Sequence, residues 1–177
     1  WAVRVNNNLV TAEEPVSKSW SQVENVYQRR ADLIPNLVNT VKGAADFEQN
    51  TITQVIEMRA NANAVKLDAD NLTEANIAEF QNAQNQLSDA IGKAINITVE
   101  RYPELAATQA FRDLQVQLEG TENRISVERN KFNDAVLAYN TMLRKFPNNI
   151  IASMLGFEKK SFFTAAPNAG HPVEVDF

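Results

Sequence analysis

The sequence predicts an all-α protein: an elongated antiparallel four-helix bundle with an extended C-terminal arm. The longest helical pattern runs from Thr108 to Phe146 and contains no proline and a single glycine. At 1.5 Å per residue, about 39 residues form a rod of roughly 58 Å, whose apolar stripe needs partner helices of similar length. The large apolar residues of this stripe recur at intervals of three, four and seven, namely Phe111, Leu114, Leu118, Ile125, Phe132, Val136, Tyr139, Leu143 and Phe146.

Composition restricts the possible functions without selecting one. The chain has 177 residues, enough for one domain with a sizeable core. Its net charge of −5 disfavours nucleic acid as a partner, because phosphate binding needs a basic surface. The absence of cysteine excludes disulfides, zinc–thiolate sites and thiol catalysis. The chain begins at Trp1 rather than Met, so we expect a fragment or a processed form.

The first helix is predicted to run from about Asn7 to Leu33. Its stripe consists of apolar residues spaced by helical turns, namely Leu9, Val16, Trp20, Val23 and Tyr27. Proline inside a helix costs about 3 kcal/mol but is tolerated in the first turn. The helix is therefore expected to start at Thr11 or Glu14, so that Pro15 falls in that turn.

A tight turn between two antiparallel helices is predicted around Pro35. Proline disfavours the α region at the preceding residue and is favoured at the first position of a new helix. Basic side chains before it complement the negative end of a helix dipole. The candidate turn residues are Arg29, Arg30, Asp32, Pro35 and Asn36. The alternative is one kinked helix that continues through Pro35.

Two further helices are predicted over residues 35–65 and 73–101. Asn71 or Thr73 is the expected N-cap of the later one, and Pro103 ends it. The long helix described first is then the fourth. All four are expected to have comparable lengths and short links, which favours antiparallel neighbours.

The C-terminal region is predicted to consist of a short helical segment and an arm that is ordered only where its apolar residues find a groove. Residues 148–157 are apolar enough for one or two helical turns against the bundle. Residues 158–177 contain two prolines and a glycine and are predicted to form a partly extended arm. The domain prediction is therefore a bundle over residues 1–157, including the short apolar segment, followed by the arm.

Charged and carboxamide residues on or beside the apolar stripes are the main polar feature. We predict an interior polar network of Glu48, Arg59, Glu119, Glu122, Asn123, Arg129, Asn133 and Asn140. A structural role is favoured, because buried charges pair with one another and a core asparagine specifies helix alignment. The alternative is a carboxylate-only site for Mg²⁺ or Ca²⁺. A ferritin-like site lacks its histidine, since the single histidine, His171, falls in the arm.

No catalytic constellation accompanies this network. Ser153 and Ser161 lack the flanking glycines of a nucleophile elbow, and no glycine-rich phosphate loop occurs. His171 has no serine or cysteine placed to act as its nucleophile. The chain is therefore predicted to be non-enzymatic and to need no cofactor or metal.

Several long motifs, spread over nearly the whole chain, point to a known family. They are Asn7–Val10, Trp20–Glu24, Arg29–Val38, Val41–Gly43, Leu118–Ile125, Phe132-Asn133, Tyr139-Asn140, Phe146-Pro147 and Val175–Phe177. The sequence resembles the LemA family of bacterial proteins with an N-terminal membrane anchor. The resemblance implies a four-helix bundle held outside the cytoplasm by one transmembrane helix just before Trp1. It implies no established biochemical activity.

Two functions from different classes follow as hypotheses. The first is a membrane-anchored interaction or scaffold protein of the bacterial cell envelope, with other envelope proteins as partners. The second is a small-ligand or metal-binding bundle, or an enzyme, that uses the interior carboxylates of helices two and four. A pocket of convergent carboxylates with shifted pKa values favours the second, whereas paired interior charges favour the first.

Overall fold

The computed structural model describes residues 1–164, and every regular element in that range is a helix. The predicted all-α class is therefore confirmed. The helices in chain order are α1 (Ala2–Val41), α2 (Gln49–Ala64), α3 (Glu74–Arg101), α4 (Pro103–Ala106), α5 (Gln109–Arg144) and α6 (Asn148–Leu155). The rest of the predicted arm, including His171, lies outside the described residues.

The first helix, α1, is one helix of 40 residues that continues through both Pro15 and Pro35. The predicted turn at Pro35 is therefore wrong, and the alternative of one helix through Pro35 is correct. The predicted start, near Asn7 or at Thr11 or Glu14 with Pro15 in the first turn, is also wrong. Each internal proline lacks the N–H that the helix needs, at a cost of about 3 kcal/mol. Both prolines lie on the exposed side, while Ile34 and Leu37 beside Pro35 are buried. Burying such a side chain contributes roughly 1.5–3 kcal/mol, so the continued stripe offsets the cost of the proline.

The second helix begins later than predicted. Residues 35–41, assigned by the prediction to helix two, belong to α1, and residues 42–48 form the turn before α2. Gly43 lies in this turn, where an added Cβ would meet the carbonyl oxygen of Thr40 at 3.1 Å. This close approach disfavours a side chain at Gly43. The turn that the sequence indicated at Pro35 therefore occurs more than one helical turn further along the chain.

The limits of α3 and α5 lie close to the predicted ones. Thr73 caps α3 by accepting a hydrogen bond from the backbone N–H of Asn76 at 3.3 Å. Thr108 caps α5 in the same way, accepting from the N–H of Phe111 at 3.3 Å. Pro103 follows α3 directly and starts the short α4. These boundaries depend on local cap chemistry, which the sequence displays.

Helices α1 and α5 form an antiparallel pair. The hydroxyl of Tyr139 donates to the carboxylate of Glu13 at 3.1 Å, and the guanidinium of Arg30 donates to Glu122 at 2.7 Å. Residue numbers therefore rise along α1 as they fall along α5. Both helices continue for about three turns beyond the Arg30–Glu122 contact, whereas α5 continues for only about one turn beyond Tyr139.

The third helix lies beside both members of this pair. The hydroxyl of Ser88 on α3 contacts Arg30 of α1 and Glu122 of α5. Helix α2 packs antiparallel on α3, since Glu48 at the start of α2 pairs with Arg101 at the end of α3 at 3.1 Å.

Buried apolar side chains form two clusters along the α1–α5 pair. The first contains Val5, Leu9, Val16, Trp20, Val23, Val26, Tyr27, Leu72, Ile77, Phe80, Ile125, Phe132, Val136, Tyr139, Leu143, Ala152 and Phe163. The second contains Ile34, Leu37, Val41, Phe47, Ile52, Val55, Ala62, Leu87, Ala90, Ile91, Ala94, Leu114 and Leu118. The first cluster draws on α1, α3, α5, α6 and non-helical residues, whereas α2 contributes only to the second.

The second helix, α2, covers only part of the length of α1. With 16 residues it is roughly 24 Å long, against roughly 60 Å for the 40 residues of α1. The expectation of four helices of comparable length is therefore wrong. The first cluster is instead covered by two non-helical segments, residues 65–73 and 157–164. Each segment contributes one buried apolar side chain, Leu72 and Phe163 respectively.

Phe132 allows the first cluster to be tested. Its side chain is fully buried, and its ring centroid lies 5.5 Å from that of Trp20 and 5.4 Å from that of Phe163. Phe132→Ala is expected to lower the free energy of unfolding by about 3–5 kcal/mol, because removal of the ring leaves a cavity. Leu137→Ala, at an exposed position of the same helix, should change it by less than about 0.5 kcal/mol. Urea denaturation measures both, and similar losses in the two variants would contradict the packing.

Candidate functional site

A buried arginine, Arg30 of α1, lies at the junction of three helices. Its side chain is 1% exposed. The guanidinium donates to the Glu122 carboxylate of α5 at 2.7 Å, and to the backbone carbonyl and side-chain oxygen of Gln84 in α3 at 2.9 and 2.8 Å. It also contacts the hydroxyl of Ser88. One side chain thus joins α1, α3 and α5.

The position of Arg30 follows from the helical repeat of α1. Tyr27 and Ile34 lie three residues before and four after it, and both are buried, so Arg30 shares their stripe. Its guanidinium carbon lies 5.2 Å from the centroid of the Tyr27 ring, in cation–π geometry. Burial raises the pKa of the Tyr27 phenol, although the positive charges of Arg129 and Arg30 oppose the rise. The arginine therefore lies between an aromatic face and a set of hydrogen-bond acceptors.

Glu122 forms the solvent-facing side of this cluster. Its side chain is 43% exposed, whereas that of Arg30 is enclosed. The arrangement is a charged hydrogen-bonded pair with one member at the surface. Such pairs fix how helices align more reliably than they add stability. The cluster fixes the guanidinium of Arg30 in place and leaves one edge of the Glu122 carboxylate accessible to water.

The structure does not gather the predicted interior network in one place. Glu122 meets Arg30, which the sequence assigned to a turn, while Glu119 and Asn123 are exposed on α5. The remaining turn candidates are also helical: Arg29, Asp32, Pro35 and Asn36 all lie on the exposed side of α1. Arg30 is therefore a helix-interior core residue rather than a turn residue.

The charged residues predicted on helix two do not pair with those of α5. Glu48 precedes α2 and pairs with Arg101 of α3, with both side chains open to solvent. Arg59 is half-buried and forms no ion pair with any residue in the range 1–164. The expected core pairing of Glu48 and Arg59 with Glu122 and Arg129 is therefore wrong, because α2 packs on α3 rather than on α5.

Three carboxamide side chains bind the backbone of segment 157–164. Each accepts a hydrogen bond from the N–H of one residue and donates to the carbonyl of that same residue. The pairs are Asn140 with Lys160 (2.9 and 2.8 Å), Asn133 with Phe163 (2.9 and 3.1 Å) and Gln81 with Thr164 (3.1 and 2.8 Å). We call these three side chains the carboxamide clamp. They provide hydrogen-bond partners for the backbone N–H and carbonyl groups of this segment, which is not helical and so has no intrahelical partners.

The spacing of the clamp matches the repeat of the segment that it holds. Asn133 and Asn140 lie two helical turns apart on α5, roughly 10.5 Å. Their partners, Lys160 and Phe163, lie three positions apart, roughly 10 Å in an extended chain. Asparagines spaced by seven can therefore hold an extended strand much as the edge of a sheet would. Their role is to bind the chain's own segment rather than to align neighbouring helices.

The Phe163 ring anchors this segment in the first cluster. It is 4% exposed, and its centroid lies 5.4 Å from that of Phe132 and 6.0 Å from that of Trp20. The guanidinium carbon of Arg129 lies 4.8 Å from the ring, and the same group donates to the Thr164 carbonyl at 2.9 Å. Arg129 therefore binds the C-terminal segment instead of an interior carboxylate.

An open cleft of about 340 Å³ lies between α1, the end of α2 and α3. Glu24 and Asp68 border it, and partial burial together with the negative charge of Asp68 raises the pKa of the Glu24 carboxyl. Across residues 1–164, no three acidic or histidine side chains come close enough together to hold a metal ion. The cleft is polar and wide open, so it can admit a small ligand but does not enclose one.

The predicted polar network omits three buried residues that make these contacts, namely Arg30, Gln81 and Gln84. Each lies on the stripe of its helix, and this spacing is the signal that could have found them. For Arg30 the signal was masked by the expected turn at Pro35, which placed the residue at a helix end. The C-terminal segment that Gln81 binds has no repeat that the sequence displays.

The fold and these contacts define an elongated all-α protein whose buried polar side chains bind its own helices and C-terminal segment. None of the helices in the described part of the chain is both long and apolar enough to cross a membrane. A model of the LemA family matches residues 19–177, and the chain belongs to that family. The resemblance indicated by the sequence motifs is therefore confirmed.

Curated relatives are similar over most of the chain. The magnetosome protein MamQ 1 of Paramagnetospirillum magneticum is 23% identical over 184 residues, covering 94% of this chain and 67% of the relative. The magnetosome protein MamQ of Magnetospirillum gryphiswaldense is 23% identical over 186 residues, with the same coverage. Protein LemA of Metamycoplasma hominis is 20% identical over 160 residues, covering 90% of this chain and 69% of that protein. None of these names describes a catalytic activity.

Glu122→Gln tests the buried ion pair. It removes the negative charge that faces Arg30 while keeping the shape of the side chain, so it should lower the free energy of unfolding by about 1.5–3 kcal/mol. Glu119→Gln, exposed one turn away on α5, should change it by less than about 0.5 kcal/mol. Urea denaturation measures both variants. A melting temperature that Mg²⁺ or Ca²⁺ raises in the wild type but not in Glu122→Gln would instead identify Glu122 as a metal ligand.

Asn140→Leu tests the carboxamide clamp. The N–H and carbonyl of Lys160 lose their partners in this variant, so the free energy of unfolding should fall by about 1–3 kcal/mol. Limited digestion with trypsin should also cut faster after Lys159 and Lys160. Asn123→Leu, exposed on the same helix, is the control. Equal cleavage rates in the two variants would show that the clamp does not hold the segment.

Proposed function

We propose that this chain is a non-enzymatic, membrane-associated interaction or scaffold protein of the bacterial cell envelope. The observation that carries the proposal is the internal use of its buried polar groups. Arg30 is bonded to Glu122 and Gln84, and the two clamp asparagines are bonded to the backbone of the C-terminal segment. The terminal nitrogens of Arg30 and the amide groups of both asparagines are thus used within the chain, while Nε of Arg30 is buried without a partner among residues 1–164. Family membership supports the proposal, because the names of the relatives describe no reaction.

The membrane attachment that we propose is a single transmembrane helix preceding Trp1, with the helical domain outside the cytoplasm. The motif resemblance to the LemA family supports it. Trp1 supports it as well, because it is 69% exposed at the start of α1 and tryptophan is favoured at membrane–water boundaries. Other envelope proteins are the partners that such an anchored domain would reach.

The architecture that we propose for the domain is an elongated antiparallel four-helix bundle of α1, α2, α3 and α5. It is supported by the antiparallel α1–α5 and α2–α3 pairs and by the contacts of Ser88 with both α1 and α5. Residues 158–177 are proposed to form a C-terminal arm, whose first residues lie against the clamp.

A second candidate is a small-ligand or metal-binding role. One observation favours it: the open cleft bordered by Glu24 and Asp68, near Gln84 of the arginine cluster. The interior carboxylates of α2 and α5, on which this role was first based, do not converge there. A ligand of this cleft would raise the melting temperature of the wild type but not that of Glu24→Gln.

The test of the anchored scaffold is fractionation of the full-length gene product in its bacterium. We expect the protein in the membrane fraction after a carbonate wash, and we expect protease added to spheroplasts to degrade the helical domain. A photo-crosslinking residue at the exposed position 127 should then yield discrete adducts with envelope proteins.

A truncated product that begins at Trp1 is the matched control. It should be released from membranes by the carbonate wash, because it lacks the proposed anchor. Full-length protein in the soluble fraction, or a domain that protease cannot reach in spheroplasts, would contradict the proposed location.

A further inference from the structure

We infer that one end of the molecule docks on the surface of an anionic lipid bilayer. This end consists of the first turns of α1, the last turn of α5, residues 145–147 and all of α6, and we call it the apolar end. The inference rests on the proposed membrane association and adds which surface of the helical domain faces the lipid.

Large apolar side chains are exposed together at this end. Phe146 is 79% exposed and Met154 is 77% exposed, the highest values among the large apolar residues of the described chain. Trp1, Val3 and Ile150 are exposed there as well. A monomeric protein rarely leaves such a group uncovered, so the group marks an interaction surface.

The helix α6 is apolar on both of its faces. Ala152 is buried and Ile151 partly buried against the first cluster. Ile150 and Met154, one helical turn apart, are exposed on the other face. Its eight residues include no charged side chain. Its polar residues are Asn148, Asn149 and Ser153. The exposed side chains of Ile150 and Met154 therefore form an apolar strip without a charge, which marks an interaction surface.

The geometry of the α1–α5 pair brings the start of α1 to the same end. Glu13 lies opposite Tyr139, so the residues before Glu13 run alongside the end of α5 and past it. Trp1 lies roughly 18 Å beyond the level of Glu13, whereas α5 ends roughly 8 Å beyond Tyr139. Leu155 and Gly156, at the end of α6, line a cleft together with Glu13, which places α6 beside this part of α1.

The charges around the apolar end select an anionic surface. The whole chain carries a net charge of −5. Yet Arg4, Arg144 and Lys145 are exposed at this end and form no ion pair with a residue of the described chain. Lys159 lies beyond α6, adjacent to the exposed Glu158, and is not part of the apolar end. Basic residues beside an apolar helix face are the pattern of proteins that bind anionic lipid peripherally. A second copy of the chain would instead bring two such positive ends together.

The test is flotation of the 177-residue chain with lipid vesicles. We expect binding to vesicles that contain phosphatidylglycerol. Binding to vesicles of phosphatidylcholine alone should be weaker by about tenfold or more. Trp1 should show a blue-shifted emission on binding, whereas Trp20 is already buried and should not change. Trp1→Phe should remove the shift without preventing binding.

The matched pair of variants is Met154→Glu and Val116→Glu. Met154→Glu should weaken vesicle binding by about tenfold or more, because a charge replaces an apolar contact. Val116 is also highly exposed but lies in the middle of α5, so Val116→Glu should bind like the wild type. If Met154→Glu fails to fold, Ile150→Glu tests the same face.

Absence of binding to phosphatidylglycerol vesicles, or equal binding by Met154→Glu and the wild type, overturns the inference. The wild type could instead form a dimer in light scattering, fail to bind vesicles, and become monomeric in Met154→Glu. That result assigns the apolar end to a second copy of the chain and also overturns the inference. Neither result bears on an upstream anchor. The carbonate-resistant fractionation of the full-length product tests that anchor separately.

Discussion

The antiparallel contact between α1 and α5 is the constraint on which the rest of the structure depends. Helix α5 has no internal proline, and its stripe is buried along nearly its whole length. Helix α1 covers that stripe best as one continuous helix, because a turn at Pro35 would expose Ile34 and Leu37. The apolar burial on both sides of Pro35 exceeds the cost of the missing hydrogen bond. The continuity of α1 is thus a consequence of what lies opposite it.

The length of α1 determines how the remaining elements fill the core. Residues up to Val41 remain in α1, so α2 is short and reaches only the second cluster. The first cluster is covered instead by irregular chain, whose backbone groups need partners that a helix would have supplied. Gln81, Asn133 and Asn140 supply them, and Phe163 fills the apolar space.

Several buried polar groups of the described chain are bonded to one another and to its own backbone. Arg30 meets acceptors from α3 and α5, and its position between the two apolar clusters fixes the register of three helices. The groups available to other molecules are therefore on the surface. The apolar end is distinct there, because its exposed Phe146 and Met154 adjoin basic residues on a chain that is acidic overall. The proposed lipid-binding surface is consistent with a scaffold at a membrane. The long helices, which present polar faces to solvent, are consistent with it as well.

The sequence by itself determined the helical class, the approximate limits of α3 and α5, and the family, and it left Asn71 and Thr73 as alternative caps of α3. These features depend on spacings of three and four residues, on cap chemistry and on motifs, all of which are local. Only the tertiary structure decided that Pro35 lies within a helix, that Arg30 is buried, and that Asn133 and Asn140 bind the C-terminal segment. Those outcomes depend on contacts between residues far apart in the chain. The energy of burial across an interface outweighs a local preference such as that of proline, and no local pattern records which partner a buried polar group will meet.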